Sequence, residues 1–166
     1  SSENIVFHEV NVSRYAVFRY PPYDLALASK MADVIRREEL DILHVHYAVP
    51  HAICAILAKQ ISGCDVKIVT TLHGTDITVL GVDPSLSNIV RFGIEHSERV
   101  TAVSNDLIKQ TREVLRTDYP IETVYNFVDE TKYYKQNAVD LKARYRIKAD
   151  EKVIVHEDKF VADAVI

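Results

Sequence analysis

Short apolar runs rich in β-branched residues alternate along the chain with longer stretches in which apolar residues recur every three or four positions. The runs Ile5–Val10, Ile42–Tyr47, Lys67–Leu72, Arg99–Val103, Ile121–Tyr125 and Lys152–His156 predict strands. Between them, Leu27, Met31, Val34 and Ile35 predict a helix after the break at Pro21-Pro22, with Asp24 as its cap. Pro50 predicts the opening of a second helix, with Ile53, Leu57 and Ile61 on its apolar face and Ser62-Gly63 as its stop. A third starts at Pro84 and carries Leu86, Ile89, Val90 and Ile94. Ser104 predicts the N-cap of a fourth, with Leu107, Ile108, Thr111, Val114 and Leu115 inside. A polar stretch from Glu130 to Asn137 leads to a short helix around Leu141.

This alternation predicts an α/β fold, a Rossmann-like parallel sheet with flanking helices. Polar and aromatic groups recur where strands end: His46 and Tyr47, then His73, then Asn126. Parallel neighbours would bring these groups to one rim, the carboxyl edge where open α/β sheets bind ligands. The segment Lys67–Asp76 is the most informative. A buried-strand pattern ends abruptly in His73-Gly74-Thr75-Asp76, with a titratable imidazole, a glycine suited to close backbone approach, and two polar side chains. Asp76 either orients His73 and its loop or caps a short helix.

Composition narrows the picture. The 166 residues suffice for a domain with a real core, and 48% apolar with 27% charged residues is ordinary for a globular chain. A net charge of −4 gives no general attraction to nucleic acid or anionic membrane. Tyr133 and Tyr134 beside Lys132 and Lys135 are read as ordinary amphipathic surface. No apolar run approaches the roughly 20 residues of a membrane helix. Cys54 and Cys64 lack metal-type spacing, and Cys54 is expected to be a small buried hydrophobe. A cytoplasmic location is expected. The histidines His44, His46, His51 and His73, the first two on one face of a strand, raise a metal-dependent hydrolase as one alternative, but no nearby carboxylate or cysteine completes a ligand set.

The segments Tyr20-Pro21-Pro22-Tyr23-Asp24, His44–His51 and Thr70–Asp76, followed by Val103-Ser104 and Val124–Asp129, occur in an order that resembles family-4 retaining glycosyltransferases of the GT-B fold. The resemblance runs from about Ile5 to about His156. It implies transfer of N-acetylglucosamine from UDP-N-acetylglucosamine to the hydroxyl of L-malate, with retention and without a cofactor or divalent metal. It places His73 near the transferred sugar as the catalytic position, and Tyr47, Thr71 and Arg91 at the acceptor. Gly74, Asp76 and Asn126 become supporting or cleft contacts. Ser104 remains a helix cap.

The resemblance also implies what this sequence does not carry. The family's Gly-rich first loop and its carboxyl-terminal domain have no counterpart here, and Glu157–Asp163 is acidic where the family has basic residues. The expected organisation is a partial amino-terminal, acceptor-binding domain over 1–150, with 151–166 the divergent, truncated start of a linker or second domain. Such a fragment is expected to be inactive alone. A non-catalytic acceptor-binding or assembly module is the alternative. Exposed strand edges of the fragment either pair between chains, giving a homo-oligomer, or are filled by the last strand at Lys152–His156.

Overall fold

The computed structural model describes residues 5–134, 144–148 and 151. The chain divides into two compact units, 1–127 and 128–166. In the first, the order is α1 (Tyr23–Glu38), β1 (Ile42–His46), a wide helical turn (Ala48–Ala52), α2 (Ile53–Ser62), β2 (Lys67–Leu72) and α3 (Thr75–Thr78). Then follow α4 (Ser87–Glu95), β3 (Arg99–Ala102), α5 (Asn105–Leu115) and β4 (Ile121–Thr123). In the second unit, Asp129 accepts from the Thr131 amide and pairs with Lys132 at 3.0 Å. The expected helix around Leu141 and strand at Lys152–His156 lie outside the described residues, as does most of the chain around the expected boundary at 150.

The four strands form one parallel sheet in the order β1-β2-β3-β4. The register aligns Leu43 with Ile68, Thr70 with Val100, Leu72 with Ala102, and Val100 with Ile121. These residues share one face, and the buried side chains of the helices pack on it. One cluster joins Ala32, Ile35, Ala55 and Ala58 to Leu43, Val45 and Ile68; the other joins Val90, Ile94, Leu107 and Leu115 to Leu72, Val100 and Ile121. Among the described residues no helix covers the opposite face, which carries His44, His46, Thr71 and Thr101. Nor is any described helix long and apolar enough to cross a membrane.

Several local expectations are corrected. Ile5–Val10 is not a strand: Ile5, Val6 and Phe7 are exposed, and β-propensity makes no strand without a ladder partner. Asp24 lies in the first turn of α1 and does not cap it; Pro22 holds the N-cap position with no side-chain bond. Pro50 sits within the wide turn after a cis peptide bond, so α2 begins at Ile53. Its buried face is Cys54, Ala55, Ile56 and Ala58, while Ile61 is exposed. Cys54 meets α1 there, its Sγ 3.4 Å from the Asp24 carbonyl. Burial pushes the Cys54 thiol up to about 11, as suits an inert core cysteine. The third helix starts at Ser87, with Ile89 exposed, and the last strand stops at Thr123, leaving Val124 and Tyr125 exposed. Ser104 caps α5 as expected, accepting from the Leu107 amide at 3.1 Å.

Two glycines set how the helices meet the rim. A Cβ on Gly93 would stand 3.0 Å from the Ala48 carbonyl, so its absence lets α4 press onto the turn after β1. A Cβ on Gly81 would stand 2.5 Å from the Ile77 carbonyl. Gly81→Ala is therefore expected to lower the unfolding free energy by about 1–3 kcal/mol, read as a lower urea midpoint at unchanged slope. An unshifted midpoint would show that the Ile77–Gly81 loop relaxes freely.

Candidate active site

The site forms where β1 and β2 end side by side. Residue alternation along β1 sends Leu43 and Val45 into the core and leaves His44 and His46 exposed on the other face. Register places His46 beside Thr71, and Thr71 beside Thr101. The side chains then connect across three strands. His44 Nε2 is 2.7 Å from Thr71 Oγ1, which is 2.8 Å from Thr101 Oγ1. His46 Nδ1 is 2.8 Å from His73 Nε2. The His46 ring stacks obliquely on His44 at 4.9 Å, and the Tyr47 ring lies 5.0 Å from His73. From the turn that follows, His51 donates through Nδ1 to the His46 carbonyl at 2.6 Å.

The backbone at this rim is bent away from ordinary strand geometry. Tyr47 has φ 74 and ψ 135, a conformation that costs a non-glycine residue about 1–3 kcal/mol. Two hydrogen bonds hold it there: its amide donates to the Thr71 carbonyl at 2.9 Å, and its carbonyl accepts from the Ala52 amide. The bend turns a ring that would have continued β1 toward His73. Gly74 has φ 126 and ψ −61, open to glycine and strained for any side chain, although a Cβ there would meet nothing within 4 Å. Within the chain, conformation rather than crowding calls for glycine at this position.

Asp76 is fully buried, and its carboxylate receives the amides of His73, Gly74 and Ala48 at 3.3, 3.0 and 3.2 Å. It therefore shapes the loop through the backbone and ties it to the turn after β1. It makes no side-chain cap for α3, whose N-cap is Gly74.

His73, Tyr47, Thr71, Gly74 and Asp76 are thus brought together. Thr71 is 7% exposed and its hydroxyl is held from two sides. Arg91 lies on the exposed side of α4, with its guanidinium 3.9 Å from the Glu95 carboxylate. Asn126 is exposed beyond β4. Among the described residues no hydrogen bond joins either to the strand-end cluster. An open groove of about 550 Å³ between α5 and β4, lined by Asn105, Lys109, Arg112 and Thr123, includes none of the cluster. Its size is no mark of the chemistry. Among the described residues no group of three or more His, Cys, Asp or Glu is placed to hold a metal ion. From sequence, His44, His46 and His51 are grouped with His73 only as a metal alternative; the bonds His46–His73, His44–Thr71 and His51 to the His46 carbonyl are not foreseen. Their signal is the pair His44 and His46, two residues apart, in a strand whose other face is apolar.

Burial, then the charges of His73, His44 and His51, lower the proton affinity of His46 from the ordinary 6.5. The unfolded chain takes up this proton at higher pH than the folded one, so acidification favours unfolding. The contribution of His46 to stability is complete above about pH 6.5 and is lost as pH falls toward its folded value. The urea midpoint is expected to drop between about pH 7 and pH 5, and to drop less in His46→Phe. Equal slopes in the two proteins would remove His46 from the acid sensitivity.

Residues 1–132 match the model of Glycosyltransferase Family 4. The chain is 63% identical over 157 residues to the N-acetyl-alpha-D-glucosaminyl L-malate synthase of Bacillus anthracis, which covers 95% of this chain and 41% of that protein. It is 25% identical over 135 residues to an uncharacterized glycosyltransferase of Methanocaldococcus jannaschii, covering 81% of this chain and 36% of that protein. The chain spans about two-fifths of the length of these curated relatives. The family match takes in all four strands and the whole strand-end cluster, and the chain belongs to glycosyltransferase family 4.

Proposed function

We propose that the protein containing this chain transfers N-acetylglucosamine from UDP-N-acetylglucosamine to the hydroxyl of L-malate, with retention at the anomeric carbon, as a step of bacillithiol biosynthesis. The observation that carries this reading is the 63% identity to the Bacillus anthracis synthase over 95% of the chain. The geometry supports it through a strained tyrosine and a histidine gathered at the carboxyl ends of adjacent parallel strands, where such sheets bind ligands.

In this reading Arg91 takes a malate carboxylate, and Tyr47 offers its hydroxyl to the acceptor. Thr71, already held by His44 and Thr101, offers the acceptor its remaining hydrogen-bonding position. His73 meets the transferred sugar. The malate oxygen approaches the anomeric carbon from the face that UDP leaves. The new carbon–oxygen bond forms as the bond to the phosphate oxygen breaks, and the departing phosphate takes the hydroxyl proton. The chain's part is then positioning and charge stabilisation. By itself the chain, as the acceptor-binding part over 1–150, is proposed to bind malate without turning it over.

Product analysis of the full-length protein with UDP-N-acetylglucosamine and L-malate is the test. An α-linked N-acetylglucosaminyl malate is expected. Product of β configuration would exclude retention, and turnover of other hydroxy acids but not malate would exclude the acceptor. Calorimetric titration of the chain itself should give heat with malate and little with the nucleotide sugar.

A further inference from the structure

We propose that His46 is a positioning residue for His73, holding its ring in one orientation and one tautomer through the Nδ1···Nε2 contact. At 2.8 Å these nitrogens share a hydrogen bond. Such a bond needs one protonated and one bare nitrogen, so the two neutral rings share one tautomer, both carrying the proton on Nδ1 or both on Nε2. Whichever nitrogen carries the shared proton, the state of His73 Nδ1 follows from it.

His46 is the better anchored of the two. It is the last residue of β1, paired in register with Thr71. Its carbonyl receives His51 Nδ1, and its ring lies against His44, which is bonded to Thr71 and through it to Thr101. His73 stands beyond the end of β2. Its backbone is held by Asp76, and its ring meets those of His46 and Tyr47. Of these two contacts, the one to His46 is directional.

The charges around the pair favour the shared-proton state. His44 faces His46 from its own strand, His73 from the end of β2 and His51 from the turn. The carboxylate of Asp76 is directed at backbone amides. Only a positive charge on both rings would set N–H against N–H and break the bond.

The consequence for rate rests on the proposed glycosyl transfer; the coupling of the rings does not. Ring nitrogen NMR on this chain at about pH 8, where unperturbed imidazoles are neutral, reads the tautomers directly. His46 and His73 are expected in the same tautomer, both Nδ1–H or both Nε2–H. In His46→Phe, His73 is expected to average between tautomers. In His46→Asn, whose amide can bond Nε2 from the Nδ1 position, the averaging is expected to lessen. A His73 tautomer unchanged in His46→Phe, shown to be folded by its thermal transition, overturns the proposal.

In the full-length protein, kcat is expected to fall about tenfold in His46→Phe, with KM for malate little changed and with partial recovery in His46→Asn. An active wild type whose kcat is unaffected by His46→Phe also overturns it. A wild type that makes no glycosylated malate, beside coupled tautomers, sinks the proposed reaction and leaves the coupling supported.

Discussion

Replacing Asp76 with alanine is expected to be the most damaging single change in this chain, lowering the unfolding free energy by about 3–5 kcal/mol. The carboxylate is wholly buried and receives three backbone amides from two separate segments, His73 and Gly74 after β2 and Ala48 after β1. Alanine would leave three amide donors without an acceptor, each with a desolvation cost of about 1–3 kcal/mol if water cannot reach it. Asparagine separates the contributions. Its carbonyl oxygen can keep the His73 and Gly74 amides, but its amino group would then face the Ala48 N–H, donor against donor. Asp76→Asn should therefore lose about 1–3 kcal/mol, less than Asp76→Ala. Urea titrations of the three proteins at neutral pH make the comparison. An alanine variant within about 1 kcal/mol of wild type would mean that the loop and the turn are held by packing instead.

That clamp shows how far the fold could be read from residue order. The short apolar runs Ile42–Tyr47 and Lys67–Leu72 led directly to two parallel strands, and Ser104 to a helix cap, because each pattern is local. Ile5–Val10 failed because a strand needs a partner that composition does not name. The inner face of α2 was misread for a different reason. Apolar bulk pointed to Ile53, Leu57 and Ile61, whereas Ala55, Ile56 and Ala58 are buried beside Cys54, whose burial was expected.

The site divides in the same way. His73, Gly74 and Asp76 lie within four consecutive positions and follow a clear strand, so their gathering at the rim was legible. The bonds that organise them were not. Ala48 and Asp76 are 28 positions apart, and His46 and His73 are 27 apart. Only the register of β1 on β2 brings either pair together. The positive φ of Tyr47 is likewise invisible in sequence, since nothing in the residue type announces a conformation that tyrosine resists.

The second large effect concerns acceptor use rather than stability. Arg91→Ala in the full-length protein is expected to lower kcat/KM for malate about a hundredfold or more, with KM for the nucleotide sugar little changed. The folded chain gives little reason for Arg91 to be an arginine. Its side chain is 46% exposed, and its pairing with Glu95, one helical turn on at 3.9 Å, is worth only a few tenths of a kcal/mol. Stability should therefore stay within about 0.5 kcal/mol of wild type, which makes any kinetic loss attributable to the ligand. Arg91→Lys sharpens the test. A lysine keeps the charge and can still pair with Glu95, but it lacks the planar fork that binds a carboxylate through two parallel N–H bonds. If Arg91 grips malate in that way, lysine should recover only part of the loss. If malate kinetics are unchanged in the alanine variant, Arg91 is a surface residue that serves Glu95 alone, and the acceptor's carboxylates must be held by other cations.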